Sequence, residues 1–237
     1  LARTYLYTQQ YDSASVYAQH ALDAQSTLLD LREVGSGNVI TPKMLDDPEI
    51  ILSKTANFNI FLPLSTELLN LFSTKDLRYS LYVRDGEGLS PSFIGKTYYR
   101  SMLSGDNKDI NAGLSVPEMM LTRAECLARE SHTDEAMALL NKLREKRFKS
   151  ADYTPLTAQS ATDALKLVIE ERRRELVARG SRWFDQRRLG LDSGLIGNVV
   201  RVVNNTTYTL TPMSNRYTYP IPQNVIDLKP EIEQNAR

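Results

Sequence analysis

The sequence predicts a mainly α fold: tetratricopeptide-like helical hairpins with a loop-rich insertion, a small β-hairpin and an extended C-terminal tail. Three observations carry this. Leu1 to Gln25 and Leu121 to Arg147 each read as two short amphipathic helices joined by a tight turn, with alanines where paired helices approach. A long helical period runs from Ser160 into the arginine-rich stretch Ile169 to Gly190. Clear strand alternation is confined to short pieces, the best of them Val199 to Leu210.

The first hairpin is LARTYLYTQ followed by YDSASVYAQHAL, with Tyr11, Ala14, Tyr17, Ala21 and Leu22 on the inner pattern of the second helix. The pattern returns at Leu121 to Leu143. Leu1-Ala2-Arg3 aligns with Leu121-Thr122-Arg123, and Asp12-Ser13-Ala14 with Asp134-Glu135-Ala136 after a two-residue shift in the turn. Two stacking units so far apart imply a long insertion, residues 28–116, and the two hairpins should pack together.

Within the insertion, Gly35-Ser36-Gly37-Asn38 reads as a turn and Asp46-Asp47-Pro48 as a cap. An extended apolar piece runs to Leu64, then a short helix starts at Ser65 or Thr66 with Glu67 in its first turn. Tyr79, Leu81 and Val83 alternate with polar neighbours, which predicts a strand ending at Asp85-Gly86. Past the insertion, Val116-Pro117-Glu118 opens a helix, and Ser160 or Thr162 caps the long one. Gly180 is placed to end that helix, and Arg182 to Arg188 reads as a second, shorter piece. Asn204-Asn205 forms the two-residue turn of the β-hairpin. Pro220, Pro222 and Pro230 keep the tail extended without a further helix.

The long helix carries an anomaly. Leu165, Val168, Ile169 and Leu176 share one face, and Arg172 falls on it. A charge on an apolar face must be paired, so Arg172 is predicted to be buried against Glu175 or Asp185, with Trp183 completing a structural clamp. Glu170 and Arg174 form an i,i+4 pair read as facing water.

Composition excludes several functions. The 237 residues balance 29 basic against 29 acidic side chains, without the basic excess of a general nucleic-acid binder. Cys126 is the only cysteine, so no internal disulfide forms, and it reads as a small buried helix residue. His20 and His132 give no metal constellation, and no cofactor or catalytic motif is present. Binding through aromatics remains. Sugar rings stack on tyrosine or tryptophan while polar groups satisfy their hydroxyls. Tyr82, Phe93, Tyr98, Tyr99 and Arg100, gathered in the insertion, are the candidate ligand-binding residues.

Three stretches in order also resemble one family. ERRRELVARGSRWFDQRRLG (171–190), LTRAECLARESHTDEAMALLNKLREKR (121–147) and TYPIPQNVIDLKPEIEQN (218–235) are similar to the signature, helical hairpin and closing tail of the SusD/RagB family. The resemblance covers the chain from about Val116 onward. It departs at Lys229-Pro230, where Asn-Pro is usual, and at Ala236-Arg237, in place of Pro-Gly-Tyr. It implies a non-catalytic, surface-exposed outer-membrane lipoprotein that passes an oligosaccharide or peptide to a SusC-like TonB-dependent transporter. It also implies that 1–237 is the C-terminal part of such a protein, with the N-terminal helical region and the lipid anchor outside this sequence. From the residues alone, a tetratricopeptide-like protein–protein adaptor is the alternative.

Overall fold

The computed structural model describes residues 1–34, 42, 46–57, 63–88, 90–91, 93–98 and 109–237. The turn read at 35–38, most of the apolar piece before Leu64, and Tyr99 and Arg100 lie outside these residues. The chain is mainly helical and divides into two compact units, Leu1–Arg182 and Trp183–Arg237.

In the first unit, α1 (Ala2–Tyr7) and α2 (Tyr11–Ala24) form the first hairpin, and α5 (Val116–Arg129) and α6 (Thr133–Glu145) the second. Both turns use the same device. Gln9 and Ser131 take left-handed conformations at φ 60° and 68°. The next N–H, of Gln10 or His132, then donates to the carbonyl of Tyr5 or Leu127. Ala14 and Ala136, one turn on, are both fully buried. These correspondences hold at one constant offset, so the two-residue shift inferred from sequence disappears and Ala2 matches Ala124.

α2 packs along α5, and α5 also packs against α6 and the long helix α7 (Ala161–Glu175). Their shared core includes Ala18, Leu22, Leu121, Ala124, Leu140 and Val168. α5 is buried almost all round, as expected of a helix enclosed by neighbours. Its buried Glu118 is held by Arg3 Nε at 2.6 Å, and its buried Glu125 by Arg129. Cys126 packs with Leu6 and Ala14.

The insertion returns to the scaffold at the start of α5. Strands β1 (Thr55–Asn57) and β4 (Asp109–Asn111) pair antiparallel, and Ile50 bridges Ser115. Gly113 permits this closure, since a Cβ there would sit 1.8 Å from the Leu52 carbonyl oxygen. α3 (Thr66–Leu69) begins at Ser65, whose hydroxyl accepts from the Leu68 N–H. Residues 79–82, read as strand, are instead helical, in α4 (Leu77–Tyr82). The Asp76 side chain accepts from the Arg78 N–H and nucleates this helix, overriding the alternation of its side chains. Only Val83–Asp85 (β2) is extended, pairing with β3 (Lys96–Tyr98).

α7 starts at Ser160, whose hydroxyl accepts from Asp163 N–H, and ends at Glu175. It stops before the glycine predicted to end it, because Ala178 at φ 62° already breaks the helical path ahead of Gly180. The second unit takes in α8 (Arg182–Leu189) from its second residue on, followed by the hairpin of β5 (Val199–Val203) and β6 (Thr206–Leu210). Asn204 and Asn205 both have positive φ, as a two-residue hairpin turn requires. The tail is not wholly extended. Gln223–Leu228 forms a short helix, α9, directly after Pro222, because proline's fixed φ suits the start of a helix as well as an extended segment.

Candidate functional site

The insertion is joined to the scaffold by a buried seam of charge. Glu171 and Glu175 stand one turn apart on α7. Arg78, at the start of α4, reaches both, with Nη1 2.6 Å from Glu171 Oε1 and 2.7 Å from Glu175 Oε2. Its Nε and Nη2 donate to the Asp76 carboxylate at 3.0 and 2.7 Å. Arg147, just past α6, donates to Glu175 from Nε and Nη2 at 3.0 and 2.8 Å, and to Glu49 at 2.6 Å. Arg144 and Arg174 donate to Glu171 Oε2 at 3.0 and 2.7 Å. Four guanidiniums thus face four carboxylates, all of them buried.

The balance of charge is what permits burial. Desolvation alone would raise the Glu171 and Glu175 carboxyls, but the surrounding guanidiniums outweigh it and hold both below the ordinary carboxylate range. Burial likewise disfavours the charged form of Arg78. Its three carboxylates reverse that and push it well above the usual value.

Arg172 is 1% exposed, and its Nη1 donates toward Thr122 Oγ1 of α5 at 3.4 Å. Glu175, the first predicted partner of Arg172, is held by Arg78 and Arg147 on the part of α7 that faces the insertion. Asp185 accepts from Arg188 Nε at 2.9 Å. Arg174, read as facing water, is buried between Glu171 and the Leu71 carbonyl. Trp183 contacts the rings of Tyr217 and Tyr219.

Beyond Arg78 the chain runs through α4 into the β2–β3 ribbon. Here the candidate ligand residues separate into different roles. Tyr82 is 1% exposed and packs with Leu31, Val34 and Leu77, its ring edge-on to Tyr98 at 5.7 Å. A buried ring cannot receive a sugar, so Tyr82 supports the ribbon from below and is removed from the contact set. Tyr98, opposite Val83 in the register, is half-buried. Phe93 is also half-buried and lies across Gly86, where a Cβ would come within 1.5 Å of its ring. Gly86 N–H closes the loop by donating to Gly95 at 2.8 Å, and Ile94 beside Phe93 is 87% exposed. Arg84 donates to the carbonyls of Ser80 and Val83, and Lys96 pairs with Asp85 at 2.8 Å. The ribbon thus offers partly open aromatic surface beside charged groups, an arrangement suited to stacking and hydrogen bonding. Among the described residues no group of three or more His, Cys, Asp or Glu is arranged to hold a metal ion.

Residues 116–237, just over half of the chain, match the SusD_RagB family, described as the SusD family. The chain belongs to the SusD family. A curated relative, "SusD-like protein P2" of Formosa agariphila, is 34% identical over 113 residues, covering 44% of this chain and 22% of that protein. A SusD superfamily structure from Bacteroides thetaiotaomicron shares the fold over 100% of this chain and 59% of its own, at TM-score 0.74 and 20% identity. "Surface glycan-binding protein A" of Bacteroides uniformis does so over 99% and 59%, at TM-score 0.67 and 18% identity. This SusD-family chain therefore spans about three fifths of the length of those two solved structures.

Sequence reasoning missed Asp76, Arg78, Arg144, Arg147 and Glu49. Part of the signal was present. Leu140, Leu143, Arg144 and Arg147 share one helical face, the same anomaly that singled out Arg172. Applied to α6, that test finds both arginines. Nothing local marks Glu49, which becomes part of the site only when the insertion folds back.

Proposed function

We propose that the chain is part of a non-catalytic binding protein that takes up an oligosaccharide at the bacterial outer-membrane surface and delivers it to a SusC-like TonB-dependent transporter. Membership of the SusD family carries this reading. The fold shared with a relative named for surface glycan binding supports the choice of a glycan over a peptide. The ligand face is assigned to the β2–β3 ribbon, with Phe93 and Tyr98 as stacking groups; Tyr99 and Arg100, next in sequence, stay in the candidate set as residues outside the described structure. The seam below holds that ribbon at a fixed place on the helical scaffold, so little ordering is left for the ligand to impose. No helix of the described residues is long and apolar enough to cross a membrane. On the family reading, attachment to the membrane is assigned to a lipid anchor.

Calorimetric titration of the protein against glycan and peptide panels tests the reading, alongside Phe93→Ala and Tyr98→Ala. Binding on the order of micromolar to millimolar, about −8 to −4 kcal/mol, is expected for a glycan and should weaken in both variants. Unchanged affinity in both moves the site off the ribbon. A peptide bound in preference to every glycan changes the ligand class, and chromatographic detection of a cleaved glycan refutes the non-catalytic assignment.

A further inference from the structure

We propose that the ring of Tyr219 is a second sugar-stacking face, separate from the ribbon, that takes a neutral pyranose unit; the inference rests on the glycan-binding reading above. Three aromatic rings of the second unit run from a buried position to solvent. Tyr217 is 3% exposed, and its ring centroid lies 5.0 Å from that of Trp183. Tyr219 is stacked on Trp183 at 5.2 Å and 18° between planes, yet is 68% exposed. One face of Tyr219 therefore rests on tryptophan while most of the residue meets water.

This ring does not hang from a loose tail. Pro220 and Pro222 restrict the backbone after it. Asn235 Nδ2 donates to the Tyr219 carbonyl at 2.8 Å. Gln234 holds both backbone groups of Ile221, accepting from its N–H at 2.8 Å and donating to its carbonyl at 2.9 Å. An exposed aromatic ordinarily loses rotamer freedom when a ligand binds. Here stacking and main-chain bonds have restricted it beforehand, which favours binding. A π face of this kind suits the apolar C–H face of a pyranose, and the side-chain carbonyl of Asn235 can accept a hydroxyl. Among the described residues the ring contacts of Trp183 and Tyr219 are aromatic, which favours a neutral sugar over an anionic one.

Trp183 is the sole tryptophan, so its emission reports on this stack and not on the ribbon. The protein is titrated with hexasaccharides of glucose, mannose and xylose, followed in parallel by calorimetry and by tryptophan emission. At least one sugar should change the emission over the same concentration range in which heat is released. Tyr219→Ala should abolish the emission change and weaken that component about tenfold, whereas Tyr219→Phe, which keeps the ring, should stay within about twofold. Tyr98→Ala should leave the emission response intact. Heat with unchanged emission, or Tyr219→Ala binding as the parent does, overturns the Tyr219 face and leaves the ribbon reading standing. No heat with any sugar overturns both.

Discussion

The charged seam and the ribbon above it are held in opposite ways. Around α7 four arginines and four carboxylates are removed from water and are tolerable only as a complete set, so the loss of one member exposes its partners to an uncompensated burial cost. The ribbon is held by short backbone pairing, by Tyr82 beneath it and by a phenylalanine laid on a glycine, and its Lys96–Asp85 ion pair is largely exposed. The contrast separates positioning from recognition. The seam fixes where the insertion sits, while the ribbon can change its exposed side chains without disturbing a buried charge.

Arg78→Ala should break this arrangement most severely. It leaves Asp76, Glu171 and Glu175 without their common cation, and a buried pair broken from one side costs about 3–5 kcal/mol. Urea unfolding should show that loss; a change under about 1 kcal/mol would mean that water enters the seam.

Acid should produce the next largest effect. Because Glu171 and Glu175 titrate lower in the folded chain than in the unfolded one, their stabilisation is complete above the unfolded value, about 4.3. It is lost progressively as pH falls from there through their depressed folded-state values. Urea midpoints should therefore hold between pH 7 and pH 5 as far as these two groups are concerned, then fall steeply toward pH 2. A loss already complete at pH 5 would contradict the depressed carboxyls.

Arg174→Ala should cost less, about 1.5–3 kcal/mol, since Glu171 keeps Arg78 and Arg144. Glu170→Ala, changed on the same helix, should leave the thermal midpoint nearly in place. Equal shifts for the two would show that the buried face of α7 has been misassigned. Lys96→Ala marks the small end of the scale. Its exposed pair with Asp85 should be worth within about 0.5 kcal/mol, and high salt should erase the difference from the parent.

Legibility followed the range of the interaction. Serine caps at Ser65 and Ser160, the Asn204-Asn205 turn and the paired helices of each hairpin depend on residues within a few positions of one another, and the sequence by itself determined them. The apolar period on α7 likewise showed that a charge would be buried there. It could not show which charges would meet, because Glu175 takes its partners from Arg78 and Arg147, far along the chain, while Arg172 turns to Thr122 on α5. Tyr82 was misread for a related reason. Its neighbours Leu31 and Val34 come beneath it only after the insertion folds back, and a cap at Asp76 had already turned its alternating segment into helix. Local caps and periods depend on backbone geometry that each segment carries with it. The seam and the ribbon depend on desolvation, which exists only once distant segments have closed over the same side chains.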